Sequence, residues 1–263
     1  MLALILAASL SNPWALQTSR APGAPDAIGA YSAGCLQGSM PMPADAPTYQ
    51  LLRPQNHRHF GHPNLIHYLQ HLVTSAHNAG LPPLLIGDMA MVKGGPFTSG
   101  HRSHQSGLDA DLWFRFAQPR LSSSALRNPQ PLDMVAANNR EVSKSFTRKQ
   151  ALLLQLAASA PEVERIFVHP AIKQALCVQT RGDRQWLRKI RPWFGHRAHF
   201  HVRLNCPSGS HDCQSQKPIP YGDGCGSELQ SWFQGPTEVT ANPKANPLPE
   251  LPDRCMQLLN HAS

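Results

Sequence analysis

The chain has 263 residues, which suits one large domain or two small ones; 41% of them are hydrophobic and 15% are charged. This composition excludes an acidic disordered tail, and 25 prolines with 18 glycines argue against a helical bundle or a coiled coil. Because 24 basic residues exceed 16 acidic ones, the net charge is +8 and favours an anionic polymer or surface as the partner. Fourteen histidines point to a metal site or an acid–base site.

Composition divides the chain into three parts. Residues 1–11 are predicted to be a secretory signal peptide, because their apolar run is too short to span a bilayer and ends in small residues. A buried N-terminal strand is the alternative, since no Lys or Arg follows the first Met. Residues 12–235 are predicted to form the folded domain. Residues 236–263 are predicted to be a proline-rich tail, extended as far as Arg254 and tied back by Cys255.

The first predicted helix follows an irregular lead-in. Residues 18–50 show no sustained period and are expected to form irregular structure anchored by Cys35. Apolar residues then recur at helical spacing, with Pro63 in the first turn and Gly80 as the stop signal. The histidines along this helix are expected to be solvated rather than to bind a metal: His67, His71 and His77.

Short apolar runs and capping signals predict the remaining elements. Thr147 and Gln150 form a capping-box pattern at the start of a second helix. In chain order we expect a strand at Leu84–Ile86, a Gly/Ser/His loop over residues 93–107, a strand over 108–116, a helix over Ala151–Ala158, a strand at Arg165–Val168, a helix from Pro170 to Cys177 and a strand at Phe200–Leu204. Because helices and strands mix without a regular strand–helix–strand rhythm, the predicted fold class is α+β.

The first chemically informative segment runs from His101 to Asp111, in which His104 precedes Asp111 by six intervening residues. If the end of this segment is a strand, Asp109 and Asp111 lie on one face, opposite the apolar side chains of Leu108, Ala110, Leu112 and Phe114. Carboxylates in such a position need a charged partner or a metal ion.

The second informative segment gives the same alternation. His199, His201 and Arg203 share one strand face, and the core face carries Phe200, Val202 and Leu204. If the two strands are neighbours, His104, Asp111 and His201 can supply the three ligands of a catalytic zinc with an open fourth position. His199 would then lie beside the attacking water. The alternative is a structural hydrogen-bonded cluster without a metal.

These residues resemble a known group of enzymes. The spacing of His104 and Asp111, combined with the His-x-His pair, is the signature of the LAS group of zinc peptidases, which cut peptidoglycan peptides. The surrounding sequence is similar to the penicillin-insensitive murein endopeptidases of the Gram-negative periplasm at Phe60–Pro63, Leu85–Met89, Gly100–Asp111, Trp186–Leu204 and Gly222–Gly226. The resemblance covers the chain from about Gly34 to Cys255.

The resemblance carries expectations for the fold and the site. It implies a small central antiparallel sheet flanked by helices and long loops, and a zinc endopeptidase domain over residues 12–235. It implies zinc ligands at His104, Asp111 and His201, and further active-site histidines at His199 and His196. His101 lies where some relatives hold an additional metal ion and is kept as a candidate ligand. The Asp and His expected beside that ion correspond here to Asn138 and Glu141.

The activity implied is cleavage of the D-alanyl–diaminopimelyl cross-link by metal-assisted amide hydrolysis, with His199 or His196 as the general base. Asp109 either orients a ligand histidine or is a solvated or turn-capping residue. A D,D-carboxypeptidase or dipeptidase of the same zinc group, and a catalytically silent peptidoglycan-binding module, are the alternatives. The expected partner is cross-linked peptidoglycan in the periplasm, with no nucleic acid and no stable membrane insertion after signal removal; the oligomeric state is open.

Missing motifs narrow the chemistry. The sequence contains no S-x-x-K, G-x-S-x-G or H-E-x-x-H, which excludes penicillin-binding proteins, α/β-hydrolases and classical zincins. We therefore expect β-lactams to have no target in this chain. Phosphate-binding glycine motifs are also missing, as is an aromatic platform for nucleic acid.

Six cysteines without a C-x-x-C pair suggest three disulfides in an oxidising compartment. Cys206 and Cys213 are close in sequence, so a local bond between them is the simplest to form. We hypothesise that Cys255 pairs with Cys35 to join the irregular ends, which leaves Cys177 for Cys225.

Overall fold

The computed structural model describes residues 12–98, 101–235 and 249–260. In chain order its strands are β1 (Asp26–Ala30), β2 (Ala33–Gln37), β3 (Met40–Pro41), β4 (Asp45–Ala46), β5 (Tyr49–Leu51), β6 (Phe60–Gly61), β7 (Leu84–Ile86), β8 (Asp109–Trp113), β9 (Val163–Val168), β10 (Ile190–Pro192) and β11 (His199–Leu204). Its α-helices are α1 (Pro63–Asn78), α2 (Ser123–Arg127), α3 (Arg148–Ser159), α4 (Pro170–Gln179), α5 (Ser227–Ser231) and α6 (Asp253–Asn260). Two short 3-10 helices span Pro54–Asn56 and Gln185–Lys189.

A central sheet organises the molecule. Its seven strands follow the order β10-β9-β11-β8-β7-β5-β4. The four central strands pair antiparallel, as expected, whereas β10 with β9 and β5 with β7 pair parallel. The predicted α+β class with helices and long loops around one sheet is therefore confirmed, but the sheet is mixed at its flanks rather than antiparallel throughout. Two small two-stranded sheets, β1–β2 and β3–β6, lie outside it.

One face of the central sheet forms the main hydrophobic core. Ala110, Leu112, Phe200 and Val202 are fully buried on β8 and β11. They belong to one cluster with buried residues of α1, α3 and α4, such as Leu65, Leu69, Leu153, Leu154 and Ile172. Burying each large side chain contributes about 1.5–3 kcal/mol. The sheet's other face is thereby left to the polar side chains of the same two strands.

The predicted helices form where their capping signals lie. Helix α1 begins at Pro63, and Gly80, in the left-handed conformation at φ 77°, follows its end. Helix α3 has the predicted capping box, in which the backbone N–H of Thr147 donates to Gln150 Oε1 at 2.9 Å. The three histidines on α1 that were expected to be solvated are exposed: His67, His71 and His77.

Two expectations about the ends of the domain are wrong. The lead-in over residues 18–50 is not irregular throughout, because β1 and β2 form an antiparallel hairpin within it. The tail is not extended through Arg254, because α6 begins at Asp253. This helix buries Leu258 and Leu259 in a second apolar cluster with Trp14, Ile28 and the disulfide of Cys35.

The three predicted disulfides are present: Cys35–Cys255, Cys177–Cys225 and Cys206–Cys213. The predicted signal peptide and residues 236–248 of the predicted tail lie outside the described residues, so the proposed division of the chain stays a prediction. Among the helices that the structure describes, none combines the length and apolar character needed to cross a bilayer.

Candidate metal centre

The strand register brings the two informative segments side by side. β8 and β11 are antiparallel neighbours, and Asp111 lies directly opposite His201. Side chains at directly opposed positions project to the same face, so the carboxylate and the imidazole meet on the polar side of the sheet. His201 Nδ1 lies 3.2 Å from Asp111 Oδ1. The condition on which the three-ligand hypothesis depends, that the two strands are neighbours, is met.

The loop before β8 delivers His104 to the same place. Its backbone is left-handed at φ 71°, an uncommon conformation for a residue with a side chain. The backbone N–H of His104 donates to Asp109 Oδ2 at 3.0 Å, and its Nδ1 lies 3.3 Å from the backbone oxygen of Asp109. When Nδ1 carries the proton and donates it to that oxygen, Nε2 keeps its lone pair. Nε2 lies 3.5 Å from Asp111 Oδ1.

Four predicted metal-site residues converge as a result. One ligand atom from each of His101, His104, Asp111 and His201 lies within 4.8 Å of the others, and the set could hold a metal ion. His104, Asp111 and His201 are almost completely buried. His101 is half-buried, and its Nε2 lies 3.3 Å from Asp111 Oδ2.

Asp109 supports this cluster from behind. It is fully buried, which excludes the solvated alternative, and its Oδ1 lies 3.2 Å from His201 Nε2. Arg203 donates to both carboxylate oxygens, from Nε at 2.7 Å and from Nη2 at 3.0 Å. Although burial alone favours the neutral acid, Arg203 and His201 hold the pKa of Asp109 well below its usual range. An ionised Asp109 can therefore fix the ring orientation of His201.

Burial and charge give the cluster its protonation pattern. Burial lowers the pKa of His104 to about 3, so its imidazole is neutral at neutral pH. Burial acts in the same direction on His201, but Asp109 and Asp111 outweigh it and raise the pKa of His201 to about 8. For Asp111, the neighbouring histidines outweigh burial and keep the pKa well below its usual range.

The two further predicted active-site histidines flank this cluster. His199 Nε2 lies 3.8 Å from Asp111 Oδ1 and, within the described chain, has no hydrogen-bond partner. The His196 ring centre lies 5.1 Å from that of His199, and its Nδ1 lies 3.0 Å from the backbone oxygen of Phe194. Burial lowers the pKa of His199, and it lowers that of His196 to about 3. Both rings are therefore neutral bases near neutral pH.

Sequence reasoning missed the group that surrounds His101. Asp88 is buried, and its Oδ2 lies 3.7 Å from His101 Nε2. The same oxygen forms ion pairs with Arg53 Nη2 at 3.2 Å and with Arg58 Nη1 at 3.3 Å. The backbone N–H of Asp111 also donates to the backbone oxygen of Asp88 at 3.0 Å. The available signals were an acidic residue shortly after the predicted strand at Leu84–Ile86 and its place in the family-like segment Leu85–Met89.

The residues considered for a second metal ion do not contain a ligand pair of the expected kind. Asn138 and Glu141 are exposed and contact each other, with 3.4 Å from Asn138 Nδ2 to Glu141 Oε2. His101 instead belongs to the same cluster as His104 and Asp111. His101 is thus a candidate ligand of the same site as His104, Asp111 and His201.

A cleft of about 600 Å³ opens beside the cluster. Its wall includes His101, His196 and His201, the aromatic rings of Phe167 and Trp193, and the side chains of Arg102, Arg165 and Arg203. His101 and His201 therefore connect the buried cluster to a cleft that is large enough for a ligand.

Comparisons with known proteins agree with this geometry. The sequence profile of a family described as penicillin-insensitive murein endopeptidase matches residues 27–260. Three curated relatives share that name. The relative from Klebsiella pneumoniae is 48% identical over 263 residues, which cover 99% of this chain and 96% of the relative's own length. One from Yersinia enterocolitica is 48% identical over 252 residues (95% and 91%), and one from Salmonella arizonae is 46% identical over 258 residues (97% and 94%). The chain therefore belongs to the penicillin-insensitive murein endopeptidase family.

Proposed function

We propose that this murein endopeptidase is a periplasmic zinc enzyme that hydrolyses the D-alanyl–meso-diaminopimelyl cross-links of peptidoglycan. The family assignment supports murein as the substrate. Three disulfides support an oxidising compartment outside the cytoplasm. The metal, the bond and the compartment are what the proposal adds.

The separation of the ligand atoms is the observation that carries the choice of zinc. Tetrahedral zinc with bonds of about 2.0–2.1 Å to nitrogen and oxygen holds its ligand atoms about 3.3 Å apart. Asp111 Oδ1 lies 3.2 Å from His201 Nδ1 and 3.5 Å from His104 Nε2. Two imidazoles and one carboxylate with an open fourth position are also a typical ligand set of catalytic zinc.

Unpaired buried atoms support the same occupant. His104 Nε2 and Asp111 Oδ1 are both inaccessible to water and have no hydrogen-bond partner among the described residues. Leaving a buried polar atom unpaired costs about 1–3 kcal/mol, and more when the atom is charged. A cation held between these atoms removes that cost. In a purely structural cluster without a metal, the two atoms would stay unpaired and the cost would remain.

The chemistry then divides between the metal and the neighbouring histidines. When bound, zinc supplies a Lewis acid that polarises the scissile carbonyl and acidifies the attacking water. His199 accepts the proton of that water at Nε2, which is unpaired among the described residues and lies next to Asp111. His196, one ring away, is placed to accept that proton from His199 and pass it to the leaving amine.

Digestion of purified cross-linked muropeptide dimers tests the proposal. The full chain is incubated with dimers, with and without a chelator, and the products are weighed by mass spectrometry. We expect conversion of each dimer into two monomers, loss of activity with the chelator and recovery when zinc is restored. Release of a single alanine would instead identify a carboxypeptidase, and chelator-resistant cleavage would contradict the metal mechanism.

A further inference from the structure

The cleft beside the metal cluster is rich in arginine. Arg102, Arg165 and Arg203 all line it, and none of the described lining residues is Asp or Glu. A cleft with this balance attracts an anionic group of the substrate. Arg165 and Arg203 lie opposite each other on neighbouring strands, and the bonds that each already makes decide which of the two can receive that group.

Arg203 is already occupied. Its guanidinium makes two bonds to Asp109, and its Nη1 donates to Gln216 Oε1 at 2.8 Å. Its charge is neutralised, and its donors serve the support of His201. Arg203 is therefore a structural part of the site.

Arg165 has donors to spare. Its Nη2 donates to Glu164 Oε1 and to the backbone oxygen of Lys217, both at 2.8 Å. These bonds fix the guanidinium, and 14% of the side chain is exposed at the cleft. Its Nη1 donates to no residue in the described part of the chain, whereas its unpaired Nε is buried and out of reach of a ligand. A guanidinium carries five N–H donors, so a held but incompletely paired Arg165 is suited to a further acceptor.

The sheet register sets the distance from the reacting centre. On β9, Phe167 lies opposite His201 and Arg165 lies opposite Arg203, so Arg165 is two residues further along the same face. Two residues of a strand span about 7 Å. An acceptor on Arg165 is thus within one substrate residue of the metal cluster.

We propose that Arg165 binds the substrate carboxylate that lies on the leaving-amine side of the scissile bond. This inference rests on the proposed function, because the diaminopimelyl residue of that cross-link carries a carboxylate on the carbon next to the scissile nitrogen. A carboxylate and a guanidinium form charge-assisted hydrogen bonds, often in pairs. Arg165 then selects for peptides that carry this negative charge.

A pair of substrates tests the role of Arg165. Cross-linked dimers with the free carboxylate are compared with dimers in which that carboxylate is a primary amide. For the wild-type enzyme we expect amidation to raise KM roughly tenfold to a hundredfold, as the loss of a charged hydrogen bond does. In Arg165→Gln, KM for the free carboxylate should rise by a similar factor, and the preference between the two substrates should disappear.

Arg148→Gln is the matched control, because it removes the same charge from an exposed position at the start of α3. It should keep the wild-type preference. Zinc content and the unfolding midpoint are measured for each variant, to separate a folding defect from lost recognition. If wild-type enzyme cuts both substrates with equal KM, or Arg165→Gln keeps the preference, the inference is overturned.

Binding gives the same comparison without turnover. Calorimetry with the monomer products, free and amidated, should show weaker binding of the amide to wild type and equal binding of both to Arg165→Gln. The proposed function is judged separately, by whether wild-type cleavage of the free-carboxylate dimer depends on the metal.

Discussion

Asp109 shows how one buried carboxylate links folding to the chemistry of the site. It accepts the backbone N–H of His104, pairs with Arg203 and lies beside His201. Removing one partner from a buried ion pair typically costs about 3–5 kcal/mol, because the other charge is left uncompensated. Two of the proposed zinc ligands thus depend on a residue that is not itself among the candidate ligands.

Replacing either of two proposed ligands should remove metal and activity together. We expect His104→Ala and His201→Ala to lose stoichiometric zinc, because each removes one of three ligand atoms. Zinc content is measured by mass spectrometry, and activity is measured as cleavage of muropeptide dimers. His67→Ala, on the exposed face of α1, is the control and should change neither quantity. Full activity in either ligand variant would reject the site.

His199→Ala should separate metal binding from proton transfer. Because His199 lies beside Asp111 rather than within the group of four candidate ligands, the variant should keep its zinc. Turnover should fall by roughly 100-fold to 10,000-fold, the usual contribution of a general base. A variant without zinc would show that His199 is a ligand.

At the level of elements, two helices begin with the same dipeptide. His62-Pro63 starts α1 and His169-Pro170 starts α4. In each, the histidine Nδ1 accepts the backbone N–H two residues later at 3.2 Å, and proline occupies the first turn. Because a protonated Nδ1 cannot accept, these two caps require an imidazole that is unprotonated at Nδ1.

The cap at His169 should make folding sensitive to acid. Burial, followed by the charge of Arg197, lowers the pKa of His169 from 6.5 to about 4. Between pH 6.5 and pH 4 the unfolded chain binds more protons than the folded chain. The stabilisation from this group is therefore fully present above pH 6.5 and is lost as the pH falls towards 4. Solvent screening of this partly buried group keeps the loss below the roughly 3 kcal/mol that a shift of this size gives for a fully buried one.

The variant His169→Asn tests this. Asparagine caps a helix through its side-chain oxygen and does not titrate, so the variant should be less acid-sensitive than wild type. The free energy of unfolding is measured by urea denaturation at a series of pH values from 6.5 down to 4. Equal slopes of stability against pH in the two proteins would contradict the assignment.

The sequence predicts those elements whose local signals agree with their tertiary surroundings. Strands β8 and β11 carry a clear alternation of apolar and polar residues, and this alternation is sufficient to assign Asp111 and His201 to the polar face. The hairpin β1–β2 is missed because small residues such as Ala27, Gly29 and Gly34 hide that alternation. At Gly34 an added Cβ would lie 2.3 Å from the Ile28 oxygen, so close strand contact requires the small residue.

Part of the candidate site is invisible to local patterns. Arg53, Arg58 and Asp88 come from loops that are distant in sequence from His101, and only the folded chain brings them together. Helix α6 is a different case, because its buried residues Cys255, Leu258 and Leu259 lie at helical spacing. The prediction missed this local signal because the proline-rich stretch before Asp253 was extended to cover the start of the helix.

At the level of the whole molecule, covalent bonds of very different span hold the domain together. The bond Cys35–Cys255 joins residues 220 positions apart, whereas Cys206–Cys213 spans 7. In the chain-entropy model, longer loops restrict the unfolded chain more. The bond between the ends should therefore contribute most to stability.

Paired cysteine variants measure this difference. We expect Cys35→Ala with Cys255→Ala to lower the free energy of unfolding by roughly 5 kcal/mol, and Cys206→Ala with Cys213→Ala by roughly 2.5 kcal/mol. Urea unfolding of both double variants under the same conditions gives the values. Zinc content should stay unchanged in both, since the group of candidate ligands contains no cysteine. A reversed order would show that native packing, rather than loop length, decides the effect.

The same bond sets an order of events during maturation. In a chain that emerges N-terminus first, the partner of Cys206 follows 7 residues later and the partner of Cys177 follows 48 residues later. The partner of Cys35 follows only after 220 residues. During that interval Cys35 is the thiol that wrong partners can capture, and the bond that joins the ends is the last that can form. A chain truncated before α6 has five cysteines and therefore keeps one unpaired thiol, a chemical mark that distinguishes it from the finished enzyme.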